Sequence, residues 1–212
     1  AEDSAEISFV IWTTTPWTIP ANKALAYNAG LKYVLLEIND NKNFIDRKII
    51  IAKDLLEPFK KDTSIENIKV LNEFLGKDLK GTICTHPFSK MGYDYDIPML
   101  EANFVTTEQG TGIVHCAPSH GPDDFNLCLN NNIKAIETVD GDGKYTNEIK
   151  HFDGLHIFKA NNLIIEKLDE QKNLVTNGKL THSYPHSWRS KAPLVHRATP
   201  QWFISMESHG LR

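Results

Sequence analysis

The sequence contains no apolar run close to the roughly 20 residues that a membrane-spanning helix requires, so we do not expect an integral membrane protein. It has only three cysteines, Cys84, Cys116 and Cys128, and no CxxC pair. This spacing argues against a zinc knuckle and against a disulfide framework, and it is typical of a protein in a reducing, cytoplasmic compartment. The first eight residues, AEDSAEIS, are acidic, so we do not expect them to act as a signal peptide.

An excess of positive charge is also missing, since the 212 residues carry a net charge of −4. This excludes a uniformly basic nucleic-acid-binding protein. A local basic patch stays open, because Glu207 is the single acid between Leu174 and Arg212. Cations and aromatic rings together suit RNA contact, but they equally suit a solvated face or a domain junction. The residues concerned are Lys179, Arg189, Lys191, Arg197 and Arg212, with Tyr184, Trp188, Trp202 and Phe203.

The densest group of chemically active residues is GTGIVHCAPSHGPDDF, from Gly110 to Phe125. Its glycines predict a tight turn, because glycine tolerates the backbone angles that such turns need. The β-branched pair Ile113-Val114 predicts a short strand that ends near His115. Pro122 favours the first turn of a helix, where its missing N–H costs nothing.

This order of strand, loop and helix would bring His115, His120, Asp123 and Asp124 close together at one opening of the fold. Such a group suits a hydrolytic or a metal site. A structural interpretation stands beside it, because acids in the first turn of a helix complement the helix dipole. A histidine at a strand end is also often a hydrogen-bonded core residue. The motif by itself leaves both interpretations open.

A second unusual stretch is TTTPWTIP, from Thr13 to Pro20. It follows Ile7 to Trp12, whose apolar residues predict a buried strand. Hydroxyls donate and accept hydrogen bonds, and indole rings form rigid walls, so the stretch suits a binding site. Threonine and tryptophan are also common in strands and cores, which is the structural alternative.

The rest of the chain alternates short apolar segments with turn residues, which predicts many strands and few helices. The predicted strands cover residues 33–38, 48–52, 70–75, 82–85, 104–107 and 133–139. Leu55, Leu56 and Phe59 predict one face of a short helix, and residues 158–171 predict an amphipathic one. The DGDG turn at 140–143 resembles part of a calcium loop but lacks the required glutamate, so we reject that site. The expected fold class is mainly β with helices, as a β-barrel or α+β domain.

Three motifs in the chain resemble a known family. WTTTPWTIPAN (residues 12–22), followed at Gly110 by GTGIVHCAPSHGPDD, resembles the editing domain, or connective peptide 1, of isoleucyl-tRNA synthetase, which is inserted in a class I catalytic fold. SYPHSWRSKAPLVHRATPQWFISM (183–206) resembles the segment that returns from this insertion to the catalytic domain. Relatives that edit for valine and leucine usually carry arginine where Thr15 stands, so the isoleucyl member fits best.

The resemblance implies a closed six-stranded barrel decorated by helices and hairpins. It implies one editing domain over residues 1–212, in which 183–212 return toward the catalytic domain. The class I ATP signatures, HIGH-like and KMSKS-like, are absent from the sequence. We therefore expect no ligase activity from this chain alone.

The resemblance also implies a reaction, the hydrolysis of valine wrongly esterified to tRNA(Ile), and leaves valyl-adenylate open as a second substrate. Asp124 would bind the substrate's α-ammonium group. The threonine hydroxyls would contact the terminal ribose, the ester or an attacking water. Trp17 and His115 would line the side-chain pocket and exclude isoleucine. Asn22 matches a position linked to editing. The residues are Thr13, Thr14, Thr15 and Asp124 as catalytic, and Trp17, Asn22, His115 and Asp124 as substrate-binding.

The partners implied are the 3′ end of tRNA(Ile) carrying valine and the rest of the synthetase chain, with a cytoplasmic monomer expected and no membrane. No metal or cofactor is expected here, since ATP and Mg belong to the absent catalytic domain. Two alternatives stay open. One is a noncatalytic tRNA-binding or docking insert that uses the basic aromatic C-terminal stretch. The other is a metal-dependent hydrolase built on His115, His120 and Asp124.

Overall fold

The computed structural model describes residues 6–39, 47–180 and 184–207, and this part of the chain contains eight strands and three α-helices. A 3₁₀ helix, Pro16–Ala21, lies between the first two strands. The strands are β1 (Glu6–Phe9), β2 (Ala24–Tyr27), β3 (Lys32–Ile38), β4 (Arg47–Ala52), β5 (Ile68–Leu75), β6 (Ile83–Thr85), β7 (Asp96–Glu101) and β8 (Val114–Cys116). The helices are α1 (Leu56–Thr63), α2 (Pro122–Asn130) and α3 (Ile157–Glu170).

The first sheet has the strand order β1-β4-β3-β5. Strand β1 runs parallel to β4, and β3 is antiparallel to both β4 and β5. Consecutive residues 49–52 of β4 are all buried, as expected for a central strand covered on both faces. Strand β5 lies at the edge, and most of its residues are exposed.

The second sheet has the order β6-β7-β2-β8 and carries part of the candidate site. Strand β2 is central, parallel to β7 and antiparallel to β8. Its four residues, ALAY, are all buried. In the register of β2 and β8, Leu25 lies opposite His115.

The two sheets meet where the segment before β8 contacts the end of β4. The Ala52 N–H donates to the Thr111 carbonyl at 2.8 Å, and the Tyr33 hydroxyl donates to the Gly112 carbonyl at 2.8 Å. Gly112 has φ +73°, and a Cβ atom placed on it would lie 2.3 Å from Ala52 Cβ. Glycine is required here both for its backbone angle and for this close approach.

Helix α3 covers the aromatic core beside the 3₁₀ helix. Its buried residues, Ile157, Ala160, Ile164 and Leu168, recur at helical spacing and form one apolar stripe. The stripe packs in one cluster with the buried Trp17 and the rings of Phe88, Tyr93, Tyr145 and Phe152. No helix in the described residues has both the length and the apolar character needed to cross a bilayer.

The mixed α+β class is confirmed, and so are the predicted strands near 33–38, 48–52, 70–75 and 82–85. The amphipathic helix predicted at 158–171 is confirmed as α3, and the helix begun by Pro122 is α2. Both Gly110 and Gly112 have positive φ, as the predicted tight turn requires. The closed six-stranded barrel and the single-domain boundary stay predictions, and Ser183 and residues 208–212 lie outside the described residues.

Three predicted strands differ from the structure. The strand predicted at Ile7 to Trp12 ends at Phe9 and lies at a sheet edge, so Ile7 is half exposed rather than buried. Residues 104–107 form no strand, because the Val105 N–H closes a turn onto the Ala102 carbonyl. Residues 133–139 find no ladder partner beyond one bridge between Val139 and Tyr145.

Strands β2 and β7 were not predicted from the sequence. The four residues of β2 show no apolar–polar alternation, because both faces of this central strand are buried. Strand β7 contains Pro98, which has no N–H to donate to a ladder. Strand β2 pairs with β7 and β8, and β7 pairs with β6 and β2. Short local patterns do not show such pairing.

Candidate editing site

The threonine stretch is folded on itself by local hydrogen bonds. Thr13 Oγ1 accepts from the Thr15 N–H at 3.0 Å and lies 3.2 Å from Thr15 Oγ1. Thr14 is exposed, and its side chain has no hydrogen-bond partner among the described residues. Of the three hydroxyls, that of Thr14 is therefore the one most open to a ligand.

The 3₁₀ helix Pro16–Ala21 carries the next two residues of the site, Trp17 and Thr18, and buries both. Distant side chains hold its backbone. The Trp17 N–H donates to Asn161 Oδ1 at 3.1 Å, and the Trp17 carbonyl accepts from the Tyr145 hydroxyl. The Ile19 carbonyl lies 3.1 Å from His86 Nε2. The helix is thus anchored to three other parts of the chain.

His115 lies in β8 and contacts the 3₁₀ helix through Thr18. The Thr18 hydroxyl donates to the Thr15 carbonyl at 2.9 Å and lies 3.0 Å from His115 Nε2. Because the carbonyl can only accept, Thr18 Oγ1 must accept from an Nε2–H group. Nδ1 of the neutral ring is then unprotonated, and it is buried with no partner among the described residues.

Burial lowers the pKa of His115 to about 4, and the neighbouring His120 acts in the same direction. The ring is therefore neutral at neutral pH. A neutral, partly buried imidazole presents a largely apolar, rigid face rather than a cation. This suits a wall of a side-chain pocket better than a binding group for an anion.

His120 packs against Trp17 and is itself held by two hydrogen-bond contacts. Its Nδ1 lies 3.0 Å from the His196 carbonyl, and its Nε2 lies 2.7 Å from Thr138 Oγ1. Its ring packs edge-on against Trp17, with ring centroids 4.7 Å apart. Burial lowers the pKa of His120, against the opposing effect of the His196 hydrogen bond. With both nitrogens occupied, His120 acts as a support for Trp17 and not as a free ligand.

Asp124 lies in the first turn of α2, with its carboxylate directed back to the loop after β8. Asp124 Oδ2 accepts from the Ala117 N–H at 2.8 Å. Burial raises the pKa of Asp124 to about 6, although the Ala117 hydrogen bond opposes this. No lysine, arginine or histidine of the described residues forms an ion pair with Asp124. The neighbouring Asp123 is exposed.

Asn22 lies between the end of the 3₁₀ helix and β8. Its side chain is only 4% exposed, and its Oδ1 accepts from the Cys116 N–H at 3.2 Å. It therefore joins the end of the 3₁₀ helix to β8. A substrate-binding role for Asn22 stays a prediction.

The structure brings the two motifs side by side, since Thr18 and Asn22 contact His115 and Cys116 directly. Three residues that complete this arrangement, Thr18, Tyr145 and Asn161, were not assigned to the site from the sequence. Thr18 is the fourth threonine of the stretch from Thr13 to Pro20, so its place in that motif could have identified it. Tyr145 and Asn161 lie 128 and 144 residues from Trp17, and no local pattern marks them.

The described residues contain no group of three or more histidine, cysteine or acidic side chains that could hold a metal ion.

The C-terminal stretch contains both a paired cation and exposed aromatic rings. Arg197 pairs with Glu137 at 3.1 Å, whereas Trp202 is 100% exposed and Phe203 is 88% exposed. The Ala198 N–H donates to the Ser119 carbonyl at 2.9 Å, which links this stretch to the loop of the site.

The chain is similar in sequence to known tRNA synthetases. A family model described as leucyl-tRNA synthetase, editing domain, matches residues 29–176. Isoleucine–tRNA ligase of Pelagibacter ubique (strain HTCC1062) is 71% identical over 203 residues, which cover 96% of this chain and 22% of that protein. The enzyme of the same name from Gluconobacter oxydans (strain 621H) is 46% identical over 216 residues, again with 22% of its length covered.

Two solved structures share the fold. One, described as GlLeuRS-CP1, has a TM-score of 0.64 at 14% identity, covering 84% of this chain and 87% of that one. The other, the editing domain of cytosolic leucyl-tRNA synthetase of P. falciparum, has a TM-score of 0.60 at 12% identity, covering 80% and 79%. At these identities the likeness concerns the fold alone.

The family model covers well over half of the chain, so the chain belongs to the leucyl-tRNA synthetase editing-domain family. The narrower prediction made from the motifs, the editing domain of an isoleucyl-tRNA synthetase, is confirmed by the isoleucine–tRNA ligases that it matches. The chain spans about a fifth of the length of these relatives, as a part of a larger synthetase chain. The docking-insert and metal-hydrolase alternatives are not favoured.

Proposed function

We propose that this chain hydrolyses valine from mischarged valyl-tRNA(Ile), with valyl-adenylate as a second candidate substrate. The observation that carries the proposal is the Asp124 carboxylate, which is half-buried, fixed by the Ala117 N–H and without a cationic partner among the described residues. The α-ammonium group of an aminoacyl ester is the cation that such a carboxylate lacks. A charge-assisted hydrogen bond between them would orient the ester.

The side-chain pocket would use Trp17 and His115 as walls. One methylene in an apolar pocket is worth only about 1–3 kcal/mol, a limit for which isoleucine and valine selection by this enzyme family is a known example. A second pocket that is too small for isoleucine solves the problem by size. Trp17 is fixed by its backbone and by His120, and His115 is fixed through Thr18, so neither ring can yield readily.

The hydrolytic step needs one water and no cofactor. Water attacks the ester carbonyl, the bond to the ribose oxygen breaks, and that oxygen leaves with a proton, which gives valine and free tRNA. The exposed Thr14 hydroxyl and the paired Thr13 and Thr15 hydroxyls are suited to orient the ribose, the ester or the water. Asp124 is assigned to the ammonium group and not to proton transfer.

The partners proposed are the charged 3′ end of tRNA(Ile) and the rest of the synthetase chain, which would supply ATP and Mg chemistry. The cytoplasm is the compartment proposed, with a monomeric protein. We also infer that residues 1–212 form one domain in which the two sheets close into a barrel. The Ala52–Thr111 hydrogen bond, which joins the end of β4 to the segment before β8, supports that closure.

The decisive experiment measures hydrolysis of valyl-tRNA(Ile) by the 212-residue chain, with and without a chelator. We expect chelator-resistant hydrolysis that Asp124→Ala abolishes, because removing one partner of a desolvated charge pair costs roughly 2–5 kcal/mol. Asp123→Ala is the matched control, since Asp123 occupies the same helix turn but is exposed.

Three outcomes would contradict the proposal. Chelator-sensitive hydrolysis would indicate a metal-dependent reaction. Binding of tRNA without hydrolysis would favour a docking insert. Equal losses from Asp124→Ala and Asp123→Ala, with the fold intact, would assign the acids to the start of the helix.

A further inference from the structure

Both backbone polar groups of Trp17 are bound by side chains from the last third of the described chain. The Trp17 N–H donates to Asn161 Oδ1 at 3.1 Å, and its carbonyl accepts from the Tyr145 hydroxyl. The first N–H groups of a helix have no partner within the helix and need a cap, water or another part of the chain. For Trp17, distant side chains provide the partner on both sides of the residue.

The local sequence provides no substitute for these contacts. Thr15 is the N-cap of the 3₁₀ helix, but its side chain makes no capping hydrogen bond. Pro16 has no N–H, so the N–H of Trp17 is the first free donor of the helix. Short 3₁₀ helices have poor hydrogen-bond geometry and weak intrinsic stability. Without an outside acceptor, the start of this helix would be poorly defined.

Asn161 is well suited to provide that acceptor. It lies in α3 between Ala160, which is fully buried, and Asn162, which is exposed. Ala160 and Ile164 pack in the same core cluster as Trp17. The packing of α3 therefore fixes the position and direction of the Asn161 side chain relative to the 3₁₀ helix that carries Trp17.

We propose that Asn161 is a positioning residue for the editing pocket, acting through the Trp17 peptide. This inference rests on the proposed function, because it assigns Asn161 to the wall that separates valine from isoleucine. Asn161 holds the backbone of Trp17, and the Trp17 ring then meets His120 and the pocket at a fixed position. A displacement of about 1 Å in a site of this kind can change a rate by as much as 10²-fold.

The test compares Asn161→Leu, Asn161→Asp and the control Asn162→Leu in the 212-residue chain. Leucine has nearly the shape of asparagine but offers no acceptor, whereas aspartate keeps an accepting oxygen. Two quantities are measured: hydrogen exchange of the Trp17 amide by NMR, and the ratio of hydrolysis rates for valyl- and isoleucyl-tRNA(Ile). The first reports on the hydrogen bond, and the second on selection.

For Asn161→Leu we expect Trp17 amide exchange to rise about 5-fold, as for a lost hydrogen bond of about 1 kcal/mol, and the valyl-to-isoleucyl ratio to fall by a similar factor. Asn161→Asp should restore most of both values, and Asn162→Leu should change neither. If Asn161→Leu does not fold, Tyr145→Phe releases the carbonyl of the same residue, Trp17, keeps the buried ring, and should lower the ratio in the same direction.

Unchanged amide exchange in Asn161→Leu would overturn the proposed anchor. Faster exchange with an unchanged ratio would overturn its role in selection. Absence of hydrolysis by the unaltered chain would contradict the proposed function separately, and the Trp17 amide would then still decide whether Asn161 holds the helix.

Discussion

Burial acts in opposite directions on the two titratable residues at the centre of the site. It raises the pKa of Asp124 to about 6 and lowers the pKa of His115 to about 4. In both cases the low-polarity surroundings disfavour the charged form. At neutral pH the histidine is therefore neutral, while the carboxylate is charged at a cost to stability. A ligand with a positive charge would offset that cost.

The first residue-scale prediction concerns the stability of Asp124→Asn. A carboxylic acid with a raised pKa binds its proton more tightly in the folded state, so stability is lost as pH rises from its ordinary pKa of 3.8 to about 6. Asparagine keeps the acceptor for the Ala117 N–H and removes the charge. We expect its free energy of unfolding at pH 8 to exceed that of the unaltered chain by about 1–2 kcal/mol.

Denaturant unfolding at pH 4 and at pH 8 provides the measurement. The gain should be small at pH 4, reach its full size above pH 6, and accompany loss of valyl-tRNA hydrolysis. Asp123→Asn controls for the helix dipole, since both acids lie in the first turn of α2. A gain of equal size in both variants would mean that burial of Asp124 is not its source.

The second residue-scale prediction concerns His115. Alanine in its place removes a ring that faces the 3₁₀ helix and leaves Asp124 intact. Overpacking of a rigid wall costs about 1–3 kcal/mol, and this is the energy that would reject isoleucine. His115→Ala should therefore hydrolyse correctly charged isoleucyl-tRNA(Ile) as well as the valyl ester. Deacylation assays with both esters measure this, and continued protection of the isoleucyl ester would show that His115 is not the wall.

At the scale of elements, the position of β8 depends on the close contact between Gly112 and Ala52. Gly112→Ala places a Cβ atom 2.3 Å from Ala52 Cβ at a φ of +73°. We expect a loss of at least about 2 kcal/mol in the free energy of unfolding, from backbone strain and overpacking together. Thermal or denaturant unfolding provides the measurement.

Gly154 offers a matched control for this prediction. It has the same φ of +73°, but a Cβ atom there would meet nothing within 4 Å. Gly154→Ala should therefore cost only the backbone strain, about 1 kcal/mol. Equal losses at the two positions would show that the contact between the sheets contributes nothing beyond the backbone angle.

At the scale of the whole molecule, editing and ligation are expected to be separable. The chain spans about a fifth of the length of the ligases that it matches, and its sequence lacks the class I ATP signatures. We predict no isoleucine-dependent exchange of pyrophosphate into ATP under conditions in which valyl-tRNA(Ile) is hydrolysed. Exchange above the level of a blank without protein would contradict this separation.

The sequence alone was sufficient wherever the determining interactions are local. The buried runs of β3 and β4, the apolar stripe of α3 and the proline that begins α2 follow from spacing and residue type. The motifs also identified the family, because the side chains proposed for the chemistry lie close together within each motif. Asp124, His115 and the threonines could be singled out for that reason.

Only the tertiary structure decided how these pieces pair. Residues 104–107 and 133–139 have the composition of strands but find no partner ladder, whereas β2 and β7 form strands because they pair with each other. Asn22 is buried against β8, and the Trp17 peptide is held from positions more than a hundred residues away. Hydrogen bonds and contacts between distant segments satisfy these groups, and a short stretch of sequence contains only one of the two partners.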